Sequence, residues 1–224
     1  MKKDYLNILS QIDAEINKSS VNKPANLIIV SKSQPAQSIR TLLKLGYNKY
    51  GENYIDEAIS KIQEINEDDI EWHFIGNIQS NKIKKIAKYF SWVQTVSTEK
   101  HAKLLNDECK KLDKMMNICI QVNIDNEESK SGININETEA FLKMISIHKF
   151  LSIRGIMSIP SKLNALKENE NSYNILKSEY DKLSKQYKSI DTLSLGMSND
   201  FKLALNRGSN MIRIGSLIFG ERKL

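Results

Sequence analysis

The sequence predicts an α/β fold: a single (β/α)8 TIM barrel with an extra N-terminal helix, spanning residues 1–224 as one domain. Two observations carry this. Eight strand-like runs alternate with helix-length segments along the chain, the order that a parallel sheet with crossover helices requires. The length, 224 residues, lies slightly below the roughly 250 typical of such barrels and inside their range. Alternation alone does not establish closure, so an open doubly wound sheet is the competing arrangement.

The elements follow in order. Tyr5, Ile8, Leu9, Ile12 and Ile16 recur at helical spacing and give an amphipathic first helix. The branched run Leu27 to Val30 begins a buried strand, read as 27–32 and stopped before Pro35. The other strands are read at 49–53, 71–77, 92–96, 116–124, 151–159, 191–197 and 210–215. Helices are expected between them at 36–45, 54–66, 80–89, 98–114, 136–148, 167–187 and about 199–206. The polar stretch 159–172 reads as a loop inside the same alternation, so no linker divides the chain.

Composition narrows the function classes. No apolar run is long enough to span a bilayer, and no apolar segment follows the two N-terminal lysines as in a signal peptide. The expected compartment is the cytoplasm. Cys109 and Cys119 form no C-x-x-C pair, and the three histidines are scattered, so neither a disulfide nor a metal site is expected. The net charge of +6 comes from lysines set beside acidic residues, as on solvated helix faces, and not from a patch interleaved with aromatics. Nucleic acid is therefore not the expected partner.

Lys32 is the residue that calls for chemistry. In a strand, Ile28, Val30 and Lys32 share one face. If that face lines a barrel, Lys32 stands at the C-terminal mouth, where barrel enzymes keep their sites. The alternative is a lysine that snorkels to water just past the strand. At the far end of the chain, "LSLGMSNDF" and "MIRIGSLIFGER" each run from a strand into a glycine-containing turn. Gly196 permits close backbone approach, Ser198 is placed to cap a helix from about Asn199, and Gly215 with Ser216 offers free amides to an anion. A side chain at Gly215 is expected to intrude on that anion. Arg213 has the parity of Met211 and Gly215, opposite to Ile212 and Ile214, and so points to the same mouth. An amine, an anion cradle and an inward guanidinium fit pyridoxal 5′-phosphate: lysine forms an imine, amides hold the phosphate, and arginine faces the ring nitrogen.

The segments "VSKSQP", "YGENYIDEA", "EWHFIGNIQSNK", "VNIDNEESKSGI", "IRGIMSIP" and "LSLGMSNDFKLALNRGSNMIRIGSLIFGER" resemble, in order and spacing, the pyridoxal phosphate homeostasis protein family. The resemblance covers almost the whole chain and implies the barrel shared with the N-terminal domain of alanine racemases. It implies an imine at Lys32, phosphate contacts at Met197, Ser198, Gly215 and Ser216, Arg213 at the pyridine nitrogen, and Asn53 near the ring on the second-strand side. His73 and Ser158 fall in family-like segments without an assigned role. The loop "SKSG" at 129–132 is expected over the mouth. The implied role is balance of the vitamin B6 cofactor, with PLP-dependent apo-enzymes as partners of a monomer, and no catalytic turnover. The runner-up is a small PLP-dependent amino-acid racemase. Racemases of this fold draw a second acid/base from a further domain, and the sequence offers no such segment after the barrel.

Overall fold

A computed structural model describes residues 4–19, 24–127, 130–161 and 170–220. Helix α1 (Tyr5–Ser19) precedes strand β1 (Asn26–Val30). Then come α2 (Ala36–Leu43), β2 (Lys49–Glu52), α3 (Ile55–Ile65), β3 (Glu71–Phe74), a 3-10 turn (Ser80–Lys82) and α4 (Ile83–Tyr89). They are followed by β4 (Trp92–Val96), α5 (Glu99–Lys111), β5 (Met116–Val122), a second 3-10 turn (Ile135–Glu137) and α6 (Thr138–Ile145). The chain continues through β6 (Leu151–Ser158), α7 (Glu170–Gln186), β7 (Thr192–Ser194), α8 (Phe201–Asn206), β8 (Met211–Ile214) and α9 (Ser216–Phe219). The first three residues of the expected 167–187 helix, and Ser129 of the expected mouth loop, lie outside the described residues.

Closure, which the sequence left open, is settled by pairing between the last and first strands. β8 lies parallel to β1 with Ile28 opposite Arg213 and Ile29 opposite Ile214, completing the ring β1 to β8. Side-chain alternation then divides the apolar residues. Ile29, Phe74, Val93, Ile118, Ile156, Ile212 and Ile214 face the helices and join the main core. Ile28, Trp92, Cys119, Met157 and Met211 form a separate, smaller cluster, filling the barrel interior as closed eight-stranded barrels require. Arg213, two residues after Met211, shares that inward parity as the sequence predicted. Helix α1 buries Leu9, Ile12 and Ile16 and packs against α8 and α9, with Tyr5 edge-on to Phe219 at 6.1 Å.

Two local departures matter. Strand β6 slips in register against β5 between Ile118 and Cys119, leaving Arg154 bulged. Arg154 donates to Asn117 at 2.8 Å and to Asp191 at 3.0 Å, and lies 5.0 Å from the centre of the Trp92 ring. These groups belong to strand starts and close the floor of the barrel. Strand β1 ends at Val30, not at Lys32 as the sequence reading had it. Residues 31–34 make a turn closed by the Gln34 amide on the Ser31 carbonyl, with Ser33 at φ 62°. A buried ion cluster fixes this turn. Lys61 donates to the Ser31 carbonyl at 2.7 Å, to Glu52 at 2.8 Å and to Glu57 at 2.5 Å. Glu52 accepts the Ser31 hydroxyl at 2.7 Å, and Glu57 the Ser33 amide at 2.6 Å.

No helix among the described residues is long and apolar enough to cross a membrane. Both cysteines are buried free thiols, and burial pushes them up to about 11 for Cys109 and about 12 for Cys119.

The cluster makes a prediction. Lys61→Met leaves the Glu52 carboxylate buried without its cation, at an expected cost of about 3–5 kcal/mol near neutral pH, read by urea denaturation. Burial already holds the Glu52 carboxyl above the usual carboxylate range. A carboxyl raised in the folded state is protonated in both states at low pH and costs nothing there. The cost grows as pH rises past the unfolded value of about 4.3. The deficit of the variant relative to the natural protein therefore shrinks as pH falls towards that value. A deficit that is constant with pH contradicts this account.

Candidate functional site

The turn after β1, the loop after β7 and the turn after β8 meet at the C-terminal mouth around a cavity of about 400 Å³. Lys32, Met197, Ser198, Arg213, Gly215 and Ser216 all line it. Six of the seven residues expected to hold the cofactor are thus brought together. Asn53 is the one set apart: it lines a neighbouring cavity with Gln121 and Thr95 at the ends of β2 to β5. Its Oδ1 is buried and accepts no hydrogen bond.

The β7 and β8 ends build the anion side. The Ser198 hydroxyl oxygen accepts the Leu217 amide at 3.2 Å and the Gly215 amide at 3.4 Å. Two backbone N–H groups thus converge on one oxygen, the arrangement that receives a phosphate or similar anion. Ser198 does not cap α8, as the sequence had suggested. That helix starts at Phe201 after Asp200, and the serine side chain is drawn across to the β8 turn instead. Asp200 organises the loop: it accepts the Met197 amide at 2.7 Å and the Tyr173 hydroxyl at 2.5 Å. Gly196 takes φ 95° where an added Cβ would stand 2.7 Å from Ala204, so the glycine is required by conformation and by packing against α8. Gly215 has a different reason from the one expected. An added Cβ there would meet the Val30 carbonyl oxygen at 3.1 Å and the Val30 Cβ at 3.2 Å. Among protein atoms, the pressure falls on β1.

Arg213 is almost completely buried, yet among the described residues no carboxylate accepts from it directly. It donates to the Ser194 hydroxyl at 2.5 Å and to the Ser158 carbonyl at 2.9 Å. Both acceptors are neutral, so burial holds its pKa down to about 10, against the favourable field of nearby Asp200. Its other N–H groups remain available to a ring nitrogen or another acceptor in the cavity. Ser158, unassigned from sequence, supplies that carbonyl while its own hydroxyl donates to Val122 at 2.7 Å. The expected mouth loop is anchored by Lys130, whose ammonium donates to the Ile159 carbonyl at 3.2 Å.

Sequence reading missed Glu52, Lys61 and Glu57 beneath the Lys32 turn, and Ser194, Asp200 and Tyr173 around Arg213 and the β7 loop. A usable signal existed for some. Ser194 interrupts an apolar strand at inward parity, and Glu57 and Lys61 stand at the i, i+4 spacing of an ion pair. Nothing local announced Tyr173, whose partner is 27 positions away.

Comparison with known proteins agrees with the geometry. The family model for the alanine racemase N-terminal domain matches residues 11–223. A pyridoxal phosphate homeostasis protein of Buchnera aphidicola is 45% identical over 199 residues, covering 88% of this chain and 86% of that protein. One from Haemophilus influenzae is 38% identical over 223 residues, covering 97% and 94%. The solved structure of PipY from Synechococcus elongatus with PLP bound superposes with a TM-score of 0.85 at 28% identity, covering 97% of this chain and all of that one. Matched along nearly its whole length by that family model and by relatives of this identity, the chain belongs to the alanine racemase N-terminal domain family and, within it, to the pyridoxal phosphate homeostasis proteins.

Proposed function

We propose that the chain binds pyridoxal 5′-phosphate through Lys32 and serves the intracellular balance of the vitamin B6 cofactor, without catalytic turnover. The observation that carries this is the shared cavity: Lys32, the Ser198 hydroxyl on which two amides converge, and the buried Arg213 all line one space of about 400 Å³. When bound, the cofactor supplies an aldehyde that condenses with a primary amine. Lys32 offers that amine, the Gly215 and Leu217 amides with Ser198 and Ser216 hold the phosphate, and Arg213 meets the pyridine nitrogen. Met197 contributes packing at the rim, because its amide is already given to Asp200. Asn53 supports the ring side from the adjoining cavity, where its buried oxygen lacks a donor. The names of the relatives and the PLP-bound PipY structure support the same reading.

Under this reading residues 1–224 act as one cofactor-binding barrel, a monomer in the cytoplasm, with PLP-dependent apo-enzymes as protein partners and no nucleic acid or membrane. Buried free thiols suit a reducing compartment. Against racemisation stands the composition of the cavity. Among its described lining residues, Lys32 and Asp200 are the ionisable side chains besides Arg213. Both carboxylate oxygens of Asp200 already accept hydrogen bonds. Inversion of an amino acid needs a second positioned acid/base on the opposite face.

Three measurements test the proposal. Incubation with the cofactor followed by borohydride reduction and peptide mapping places the pyridoxyl group on Lys32, and Lys32→Ala abolishes the yellow colour. Label on a different lysine rejects the assignment. Pyridoxal lacking the phosphate binds about 100-fold more weakly, since two charge-assisted hydrogen bonds are worth about 3 kcal/mol; equal affinity removes the phosphate cradle. Incubated with L-alanine in deuterium oxide, the loaded protein yields no D-alanine, and the incorporated label, if any, stays in the L-isomer. Robust D-alanine formation that disappears in Lys32→Ala makes the racemase reading the better one.

A further inference from the structure

A chain of polar side chains crosses the barrel interior from mouth to floor. At the mouth, Arg213 donates to Ser194 at 2.5 Å. The Ser194 hydroxyl lies 2.7 Å from Gln94 Oε1, and Gln94 Nε2 lies 2.9 Å from His73 Nδ1. His73 Nε2 is 2.9 Å from Glu71, which is partly exposed at the start of β3. All the intermediate members, Ser194, Gln94 and His73, are fully buried. His73 is further fixed by stacking on Trp92, with ring centres 5.1 Å apart and planes 17° from parallel.

The donor and acceptor roles along this chain fit a one-directional assignment. A guanidinium only donates, so Ser194 accepts from Arg213 and directs its own proton to Gln94 Oε1. That fixes the amide: its Nε2 faces His73 and donates to Nδ1. Nδ1 is then unprotonated, and the ring proton sits on Nε2 and is given to Glu71. Burial also disfavours the charged ring. The chain begins on a cation and ends on an anion, and every link runs in the same direction. Buried polar atoms of this kind are costly unless fully satisfied, and besides His73 the Gln94 Nε2 reaches the Met211 sulfur at 3.3 Å, a weak acceptor in an otherwise apolar cluster. The Ser194 hydroxyl therefore stays where the Arg213 guanidinium needs it only while Gln94 and His73 hold their orientations.

We propose that Ser194, Gln94 and His73 are positioning residues for Arg213, and that this one-directional chain sets the angle at which the guanidinium meets the ring nitrogen of a bound pyridine cofactor. The proposal rests on the cofactor reading above. It gives a role to His73, which the family-like segment "EWHFIG" singled out but the cavity itself does not use.

The test uses Gln94→Leu and Gln94→Glu in the full chain. First, 15N NMR of the cofactor-free protein reads the tautomer: His73 is neutral with the proton on Nε2. In the Gln94→Glu protein the carboxylate still accepts from Ser194, but it requires a donor at Nδ1, so His73 becomes an imidazolium. Second, cofactor binding is followed by absorption and by circular dichroism of the cofactor band, which reports the ring's orientation. Gln94→Leu, folded by far-ultraviolet circular dichroism and cooperative melting, binds pyridoxal 5′-phosphate about tenfold more weakly, the effect of one misdirected buried hydrogen bond, with an altered cofactor band. Gln94→Glu keeps affinity within about twofold of the natural protein. Should Gln94→Leu not fold, Ser194→Ala carries the same expectation. A proton found on Nδ1 of His73 in the natural protein overturns the chain. A folded Gln94→Leu with unchanged affinity and cofactor band overturns the positioning role, even if its melting temperature falls. If the natural protein binds no cofactor, the functional reading fails, while the tautomer measurement still decides the chain.

Discussion

Burying positive charge inside a closed parallel barrel is the constraint around which this molecule is arranged. A guanidinium or ammonium removed from water is unfavourable unless hydrogen-bond acceptors replace the lost solvent. Among the described residues, Lys61 on helix α3 and Arg213 inside the barrel are two such cations near the mouth, and they are treated differently. Lys61 is matched with carboxylates, Glu52 and Glu57, plus a carbonyl. Arg213 is matched only with neutral oxygens, from Ser194 and Ser158, while Asp200 acts through space. The first cation is neutralised and serves architecture. The second has no direct carboxylate partner among the described residues and lines the cavity, with Asp200 acting on it only through space.

These arrangements divide the labour of the site. The Lys61 cluster grips both residues flanking Lys32, by the Ser31 carbonyl and hydroxyl and by the Ser33 amide. The lysine thus projects from a turn whose backbone is specified on either side, including a non-glycine residue at positive φ. Opposite it, the β7 loop is fastened to α7 by Asp200 and Tyr173, and to the β8 turn by Ser198. Rigid surroundings of this sort hold a small cofactor by geometry at several points, so no single contact has to be strong.

Much of this was legible in the sequence because it depended on local pattern. Alternating strand and helix segments gave the eight βα units, and the parity of Ile28 with Val30, and of Met211 with Arg213, gave the inward direction. Lys32 was placed correctly at the mouth, although as a strand residue when it sits in a turn. Closure of the ring was not legible, because the pairing of Ile28 with Arg213 joins opposite ends of the chain. The helix-capping role expected of Ser198 failed for the same reason: the competing amides came from β8, remote in sequence. Gly215 could be singled out, but only the position of Val30 shows which neighbour a side chain there would crowd.

The bonds from Gly215 and Leu217 to the Ser198 hydroxyl give the proposed anion seat a built-in occupant. Under the proposed cofactor reading, an arriving phosphate would not find bare amides but would have to displace an oxygen that already satisfies them. The free energy gained is the difference between two sets of hydrogen bonds, smaller than the whole value of the new set. Departure is eased by the same exchange, because the serine reclaims the amides as the phosphate leaves and no buried donor is stranded. If the proposed phosphate seat is correct, this exchange would favour release of its occupant over permanent retention.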